Sequence, residues 1–290
     1  MQIECVAAVD AQLGEGALWD AGRGILWWLD IRAAILHSHD AQSGRNRAQA
    51  LDFRLTALGL ADRNELIACG DRGFVRLSVA ADLRVMIRQV LQAPQERPGN
   101  RFNDGKVDAR GRFWAGTMDD AETGAFGSLY RLDSSGILKQ IRSGMQVPNG
   151  PCFLANGTVL VSDTPHRRIT ALLLDQHGEP TAEREFARFT KEQGFPDGMT
   201  VDAEDHVWVA FWDGWCVRRL APNGRIVAEI ALPVQRPTSP AFGGTDLRQL
   251  YITTATTGIA PEGLAAQPLA GSLLRIDAGV RGREPGRFGG

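Results

Sequence analysis

Hydrophobic residues along this chain come in short runs broken by turn-forming residues, the pattern of strands joined by tight connections. One run recurs six times: ILWWLD (25–30), ELIACG (65–70), RFWAGT (112–117), TVLVSD (158–163), HVWVAF (206–211) and QLYITT (249–254). With Trp27, Ile67, Trp114, Leu160, Trp208 and Tyr251 taken as equivalent, the intervals are 40, 47, 46, 48 and 43 residues. A polar turn such as DAGRG, DARG or LANG stands ahead of each run. Another strand follows, as in SLYRLD (128–133), RITALLL (168–174) and CVRRLA (216–221), and a second turn leads into a fourth. Helical periodicity is scarce; its best stretch is TAEREFARFTKEQG (181–194), enough for one short amphipathic turn.

Six such units, each with four short strands, predict an all-β, six-bladed β-propeller with four-stranded blades. QIECVAAV (2–9) is placed to supply the outer strand of the blade completed by 238–277, closing the ring. Blades bury their faces on one another, so residues 1–290 read as a single domain. An elongated solenoid would leave the polar residues described next without a common axis.

The first strand of each blade lines the channel of a propeller. Stepping back 11 residues from each central position reaches Gly16 (with Glu15 one further back), Thr56, Asn103, Asn149, Asp197 and Pro240 (with Ser239 one further back). Similar local sequences surround several of these: FNDGKVD, PNGPCF, PDGMTVD and GEGALWD. An isolated Asn-Gly or Asp-Gly pair is an ordinary turn. Four oxygen donors at one phase of a sixfold repeat are different, because a buried ring of unpaired carboxylates repels itself unless a cation, proton or water relieves it. Glu15, Asn149 and Asp197 are the donors that suit a hard cation.

Composition narrows the classes of function. The 290 residues are 43% hydrophobic and 23% charged, with a net charge of -2, which gives no basic footprint for nucleic acid or an anionic membrane. No apolar run approaches the roughly 18–20 residues of a membrane span. The N-terminus lacks the pattern of a signal peptide, so a soluble, cytoplasmic protein is expected. Cysteines at 5, 69, 152 and 216 have neither zinc nor disulfide spacing and read as reduced thiols. The histidines at 37, 39, 166, 177 and 206 fall on outer strands or turns, in solvated or structural roles, with His166 nearest the channel rim. No Gly-x-Ser-x-Gly elbow is present.

LGEGALWD (13–20), RFNDGKVDARGRFWAGTM (101–118), GSLYRLD (127–133), NGPCF (149–153), SDT (162–164), FPDGMTVD (195–202) and FGGTDLRQLYITTA (242–255) appear in order along almost the whole chain. In these pieces the chain resembles the senescence marker protein-30, gluconolactonase and luciferin-regenerating-enzyme family, which includes regucalcin and bacterial sugar lactonases. The resemblance implies a six-bladed propeller with one divalent metal ion (Ca, Zn, Mn or Fe(II)) on Glu15, Asn149 and Asp197. It also implies that Arg101 and Asn103 bind substrate. Some animal relatives carry a substrate-contacting glutamate shortly after Gly-Thr-Met, where this chain has Ala121; Asp119 or Asp120 is the expected replacement.

The implied reaction is hydrolysis of a sugar lactone, such as xylono-, arabinono- or gluconolactone, to the aldonic acid. A divalent ion polarises the carbonyl and acidifies water, while Asp197 is expected to move the proton. Arg101 and Asn103 are expected to orient the sugar. Alternatives are a calcium-binding regulatory protein without turnover, or a phosphotriesterase or arylesterase on the same propeller.

Overall fold

The computed structural model describes residues 2–289. Six four-stranded antiparallel sheets form a ring, a six-bladed β-propeller. The innermost strands are Gly14–Asp20, Leu55–Leu60, Asn100–Val107, Pro148–Phe153, Phe195–Val201 and Pro237–Gly243. The sixth blade is completed from the far end of the chain: Ile3–Ala7 pairs antiparallel with Leu273–Asp277. Closure by the N-terminal strand therefore agrees with the expectation.

Burial falls from the axis outwards, which explains why the central runs were so easy to see. Every residue of Ile25–Asp30 is buried, because a strand in the middle of a blade has a neighbouring blade on each face. The outer strand Asn46–Ala50 is largely exposed. Trp27, Trp28, Trp114 and Tyr251 are among the largest fully buried side chains and fill the spaces between blades.

The turns behind the inner strands are held by buried aspartates. In the third blade Asp108 accepts the backbone N–H groups of Arg110 and Arg112, the Trp114 indole at 2.8 Å and the Arg112 guanidinium at 2.6 Å. Asp202 in the fifth blade repeats this with the N–H groups of Glu204 and His206, the Trp208 indole at 2.9 Å and Arg219 at 2.7 Å. Such carboxylates stabilise the blade, since each charged hydrogen bond contributes about 1.5–3 kcal/mol.

The first part of the helical stretch is a strand instead. Pro180–Arg188 forms the outer edge of the fourth blade. Phe186 and Phe189 gave the helical spacing, but both are buried against that blade and the next, and packing overrode the local preference. His37 and His39 lie buried on the third strand of the first blade. His37 stacks on Trp28 at 3.9 Å, and burial pulls its pKa down to about 4, so its role is structural. All four cysteines are free. No helix among the described residues is long and apolar enough to cross a membrane.

The register of the inner strands corrects the count of eleven. Leu18, Gly59, Lys106, Cys152, Thr200 and Ala241 face the six equivalent central residues. Leu18 precedes Trp27 by nine positions and Ala241 precedes Tyr251 by ten, against eight in the other blades. The longer turns shift the in-phase residue from Gly16 to Glu15 and from Pro240 to Thr238. Each inner strand then slips its register once, as between Phe102 and Gly105 or Asn149 and Cys152. Bulges of this kind re-aim side chains next to functional sites.

Candidate metal and substrate site

Three residues towards the front from the paired positions, the six blades contribute Glu15, Thr56, Asn103, Asn149, Asp197 and Thr238. All six are buried. The glycines beside the donors have steric work to do. Gly150 sits at φ +85°, and a Cβ on it would lie 2.7 Å from the Met199 Cε; one on Gly198 would lie 2.8 Å from the Thr238 carbonyl oxygen. Asn149-Gly150 and Asp197-Gly198 are therefore close-approach pairs rather than surface turns.

The Asn149 amide is locked in orientation. Its Nδ2 donates to Thr164 Oγ1 at 2.9 Å, and Thr164 in turn donates to the Pro196 carbonyl at 2.7 Å. Its Oδ1 accepts from Asn103 Nδ2 at 3.0 Å. Ser162 Oγ lies 3.3 Å from both the Asn149 and the Asp197 carbonyl oxygens and ties the two strands together.

Glu15 and Asp197 are poorly compensated. Glu15 accepts only the adjacent Gly16 N–H, at 3.1 Å. Burial, reinforced by the charge of Asp104, pushes its pKa up to about 8. Burial raises Asp197 well above the usual carboxylate range, with the charges of Glu15 and Asp104 adding to the rise. Asp104 is the third carboxyl of the group. It accepts the N–H groups of Gly105 at 2.7 Å and Gly150 at 2.8 Å, and burial raises it too. Its bond to the Gly150 N–H ties the third blade to the fourth. The structure also sets it in the electrostatic field of Glu15 and Asp197.

A divalent cation fits this donor set. Two buried carboxylates that backbone N–H groups alone satisfy, plus an amide oxygen held in place, are hard oxygen donors short of positive charge. The buried Ser239 hydroxyl, beside Gly198, has no hydrogen-bond partner. Among the described residues no three His, Cys, Asp or Glu side chains form a ready-made cage, so the set is an open one with Asn149 as its neutral member.

Arg101 and Asn103 form one wall. Arg101 Nη1 donates to Asn103 Oδ1 at 3.0 Å and to the Phe102 carbonyl at 2.8 Å, and its Nε meets Asp120. Asp120 is shared with Arg54 at 2.9 Å, which also holds Asp71. The two aspartates after Met118 thus diverge. Asp120 is partly exposed beside Arg101. Asp119 is buried, and Thr123 binds it through both its N–H and its hydroxyl, which hold its pKa down. Glu122, one position past Ala121, was not singled out from the sequence. It is exposed, at φ +57°, and its charge reaches Asp197.

At the rim, His166 Nδ1 lies 3.0 Å from Asp163 in the short turn that also supplies Thr164. Trp212 lies under the Arg236 guanidinium, and Trp215 is exposed.

Residues 13–256 match the family model of the SMP-30/gluconolactonase/LRE-like region. The chain belongs to this family. A 6-deoxy-6-sulfogluconolactonase of Pseudomonas putida is 34% identical over 292 residues, covering 99% of each chain. The pentonolactonase XacC of Haloferax volcanii is 33% identical over 289 residues, covering 98% of this chain and 97% of its own. Among solved structures, a calcium-binding regucalcin from Agrobacterium tumefaciens superposes with a TM-score of 0.91 at 30% identity, covering 98% of this chain and 96% of that one. SMP-30-like membership accounts for the order of motifs along the chain and for the ring they build.

Proposed function

We propose that this protein hydrolyses the ester bond of a sugar lactone to give the aldonic acid, using one divalent ion held by Glu15, Asn149 and Asp197. The observation that carries this reading is the pair of uncompensated carboxylates and the oriented amide beside the Arg101–Asn103 wall. Relatives named as lactonases of a sulfosugar and of pentoses support an aldonolactone as the substrate class. When bound, the ion would polarise the lactone carbonyl and lower the pKa of a water molecule.

The chain's own groups then have separable tasks. Asp197 takes the proton from the attacking water and returns it to the ring oxygen as the ester bond breaks. Arg101 offers its free guanidinium donors to the sugar, and Asp120 restrains it against swinging. Asn103 commits its Nδ2 to the Pro148 carbonyl and Asn149 Oδ1, and its Oδ1, which already accepts from Arg101, keeps one lone pair for a sugar hydroxyl. We assign the contact with a sugar hydroxyl to Glu122, the exposed acid one position past Ala121, with Asp120, beside Arg101, as the alternative. Asp119 is committed to its loop.

The experiment is a panel of aldonolactones, followed by acid release, on metal-stripped protein with Ca, Zn, Mn and Fe(II) returned in turn. Turnover restored by one of these ions supports the proposal. The description of the Agrobacterium neighbour as calcium-binding favours one competing reading, metal binding without turnover. A metal that binds while every lactone stays intact would select it.

A further inference from the structure

Behind the ring of oxygen donors the channel opens into a chamber of about 490 Å³. Leu18, Gly59, Lys106, Cys152, Thr200 and Ala241, the six residues that face the central strands, all line it. Each blade gives one member of this second ring, and Lys106 is the only charged one.

The back of the chamber is crossed by the C-terminal segment. Arg283 N–H binds the Val201 carbonyl at 3.3 Å and Phe288 N–H binds that of Leu60 at 2.8 Å. Between those anchors Glu284, Pro285 and Gly286 lie over the chamber. Its other cations are occupied. Arg112 is paired with Asp108 at 2.6 Å, Arg283 with Asp205 at 2.9 Å, and Arg110 donates to the Gln176 carbonyl at 3.0 Å. Asp175 accepts the N–H groups of His177 and Glu179, and Glu284 is exposed to water. Lys106 is half-buried and has no hydrogen bond or ion pair among the described residues. In its strand it pairs with Trp114, three positions past Asn103, and it lines the chamber together with Cys152.

A half-buried cation with no ion pair, among wall groups already committed to other partners, gains from a counter-charge that brings its own apolar surface. We propose that this chamber is a second ligand site that takes a small organic monoanion, its carboxylate against Lys106 and its apolar body against the uncharged members of the ring. The ligand enters past the C-terminal segment, on the face opposite the Arg101 wall. The site stands on residues that the proposed lactonase reaction does not use, and its test reads binding rather than turnover.

Soaking crystals with 4-bromobenzoate and locating bromine by anomalous scattering tests the position directly. Calorimetry then compares benzoate with acetate on wild type, Lys106→Met, Lys106→Arg and Arg101→Ala. The expected result is bromine in the chamber and saturable benzoate binding that weakens about ten-fold or more in Lys106→Met. Lys106→Arg and Arg101→Ala should stay within about three-fold of wild type, and acetate should bind about ten-fold more weakly than benzoate. Bromine at the front mouth alone, binding at crystal concentration only, or wild-type affinity in Lys106→Met would overturn the proposal. Equal affinity for acetate and benzoate would remove the apolar body from it. Should Lys106→Met fail to fold, the bromine position in the wild type decides alone.

Discussion

Asp197 and Asp202 stand five residues apart in the fifth blade, both buried, and their surroundings are opposite. Asp202 accepts two turn N–H groups, an indole and a guanidinium, so its charge is fully used by the fold. Asp197 faces Glu15 and Asp104 instead, and the fold leaves its charge unbalanced. Asp104 and Asp108 repeat part of the contrast in the third blade: Asp108 has the Arg112 pair and the Trp114 indole, Asp104 only backbone N–H groups. Burial alone therefore does not tell a carboxylate saturated by the fold from one left short of donors. The donors around it do.

Breaking the contrast should separate activity from stability. Asp197→Asn is expected to lower lactone hydrolysis by about 10²- to 10⁴-fold, while denaturant melts of the metal-free protein show no loss of stability. Asp202→Ala should do the reverse. Stranding the Trp208 indole and Arg219 costs about 3–5 kcal/mol in the melt, with specific activity of the folded fraction retained.

Arg101→Lys keeps the charge but loses the planar fork, and kcat/KM should fall by about 10- to 100-fold, mostly through KM. Glu122→Gln is the smallest change, about two- to ten-fold in KM, on the strength of one hydrogen bond to a charged group. If Asp120→Asn has the larger effect, the acid contacting the sugar is Asp120 rather than Glu122.

The same contrast predicts a dependence on pH. Glu15 has a folded pKa near 8, above its ordinary 4.5. Its contribution to the stability of the metal-free protein is therefore fully present below about 4.5 and is lost as pH rises towards 8. Thermal melts of stripped protein should decline across that window. Added divalent ion should restore most at the alkaline end, where the carboxylates are ionised and unpaired.

Much of the ring was legible because its signals are local. Central strands buried on both faces write themselves as apolar runs, and the turns between them are rich in glycine and aspartate. The N-terminal closure followed from arithmetic on those repeats. What misled were differences of one or two residues. Longer turns in the first and sixth blades moved the inward position to Glu15 and Thr238, and pairing, not spacing, decides such a register. Which of Asp119 and Asp120 is free of its loop is also set by contacts outside local spacing: Thr123 holds Asp119, and Asp120 lies beside Arg101. In residues 181–194 the two phenylalanines were correctly apolar, but an edge strand and the residue just past its end bury them as well as a helix could.

Calorimetric titration of a divalent ion into metal-stripped protein, in buffers of different ionisation enthalpy, tests the central claim most directly. One ion per chain should bind with release of protons, more at pH 6 than at pH 9, and Glu15→Gln and Asp197→Asn should each weaken binding while Asp202→Asn does not. Binding that ignores Glu15 and Asp197, or that moves no protons at pH 6, would contradict the claim that these carboxylates are held unbalanced for a cation.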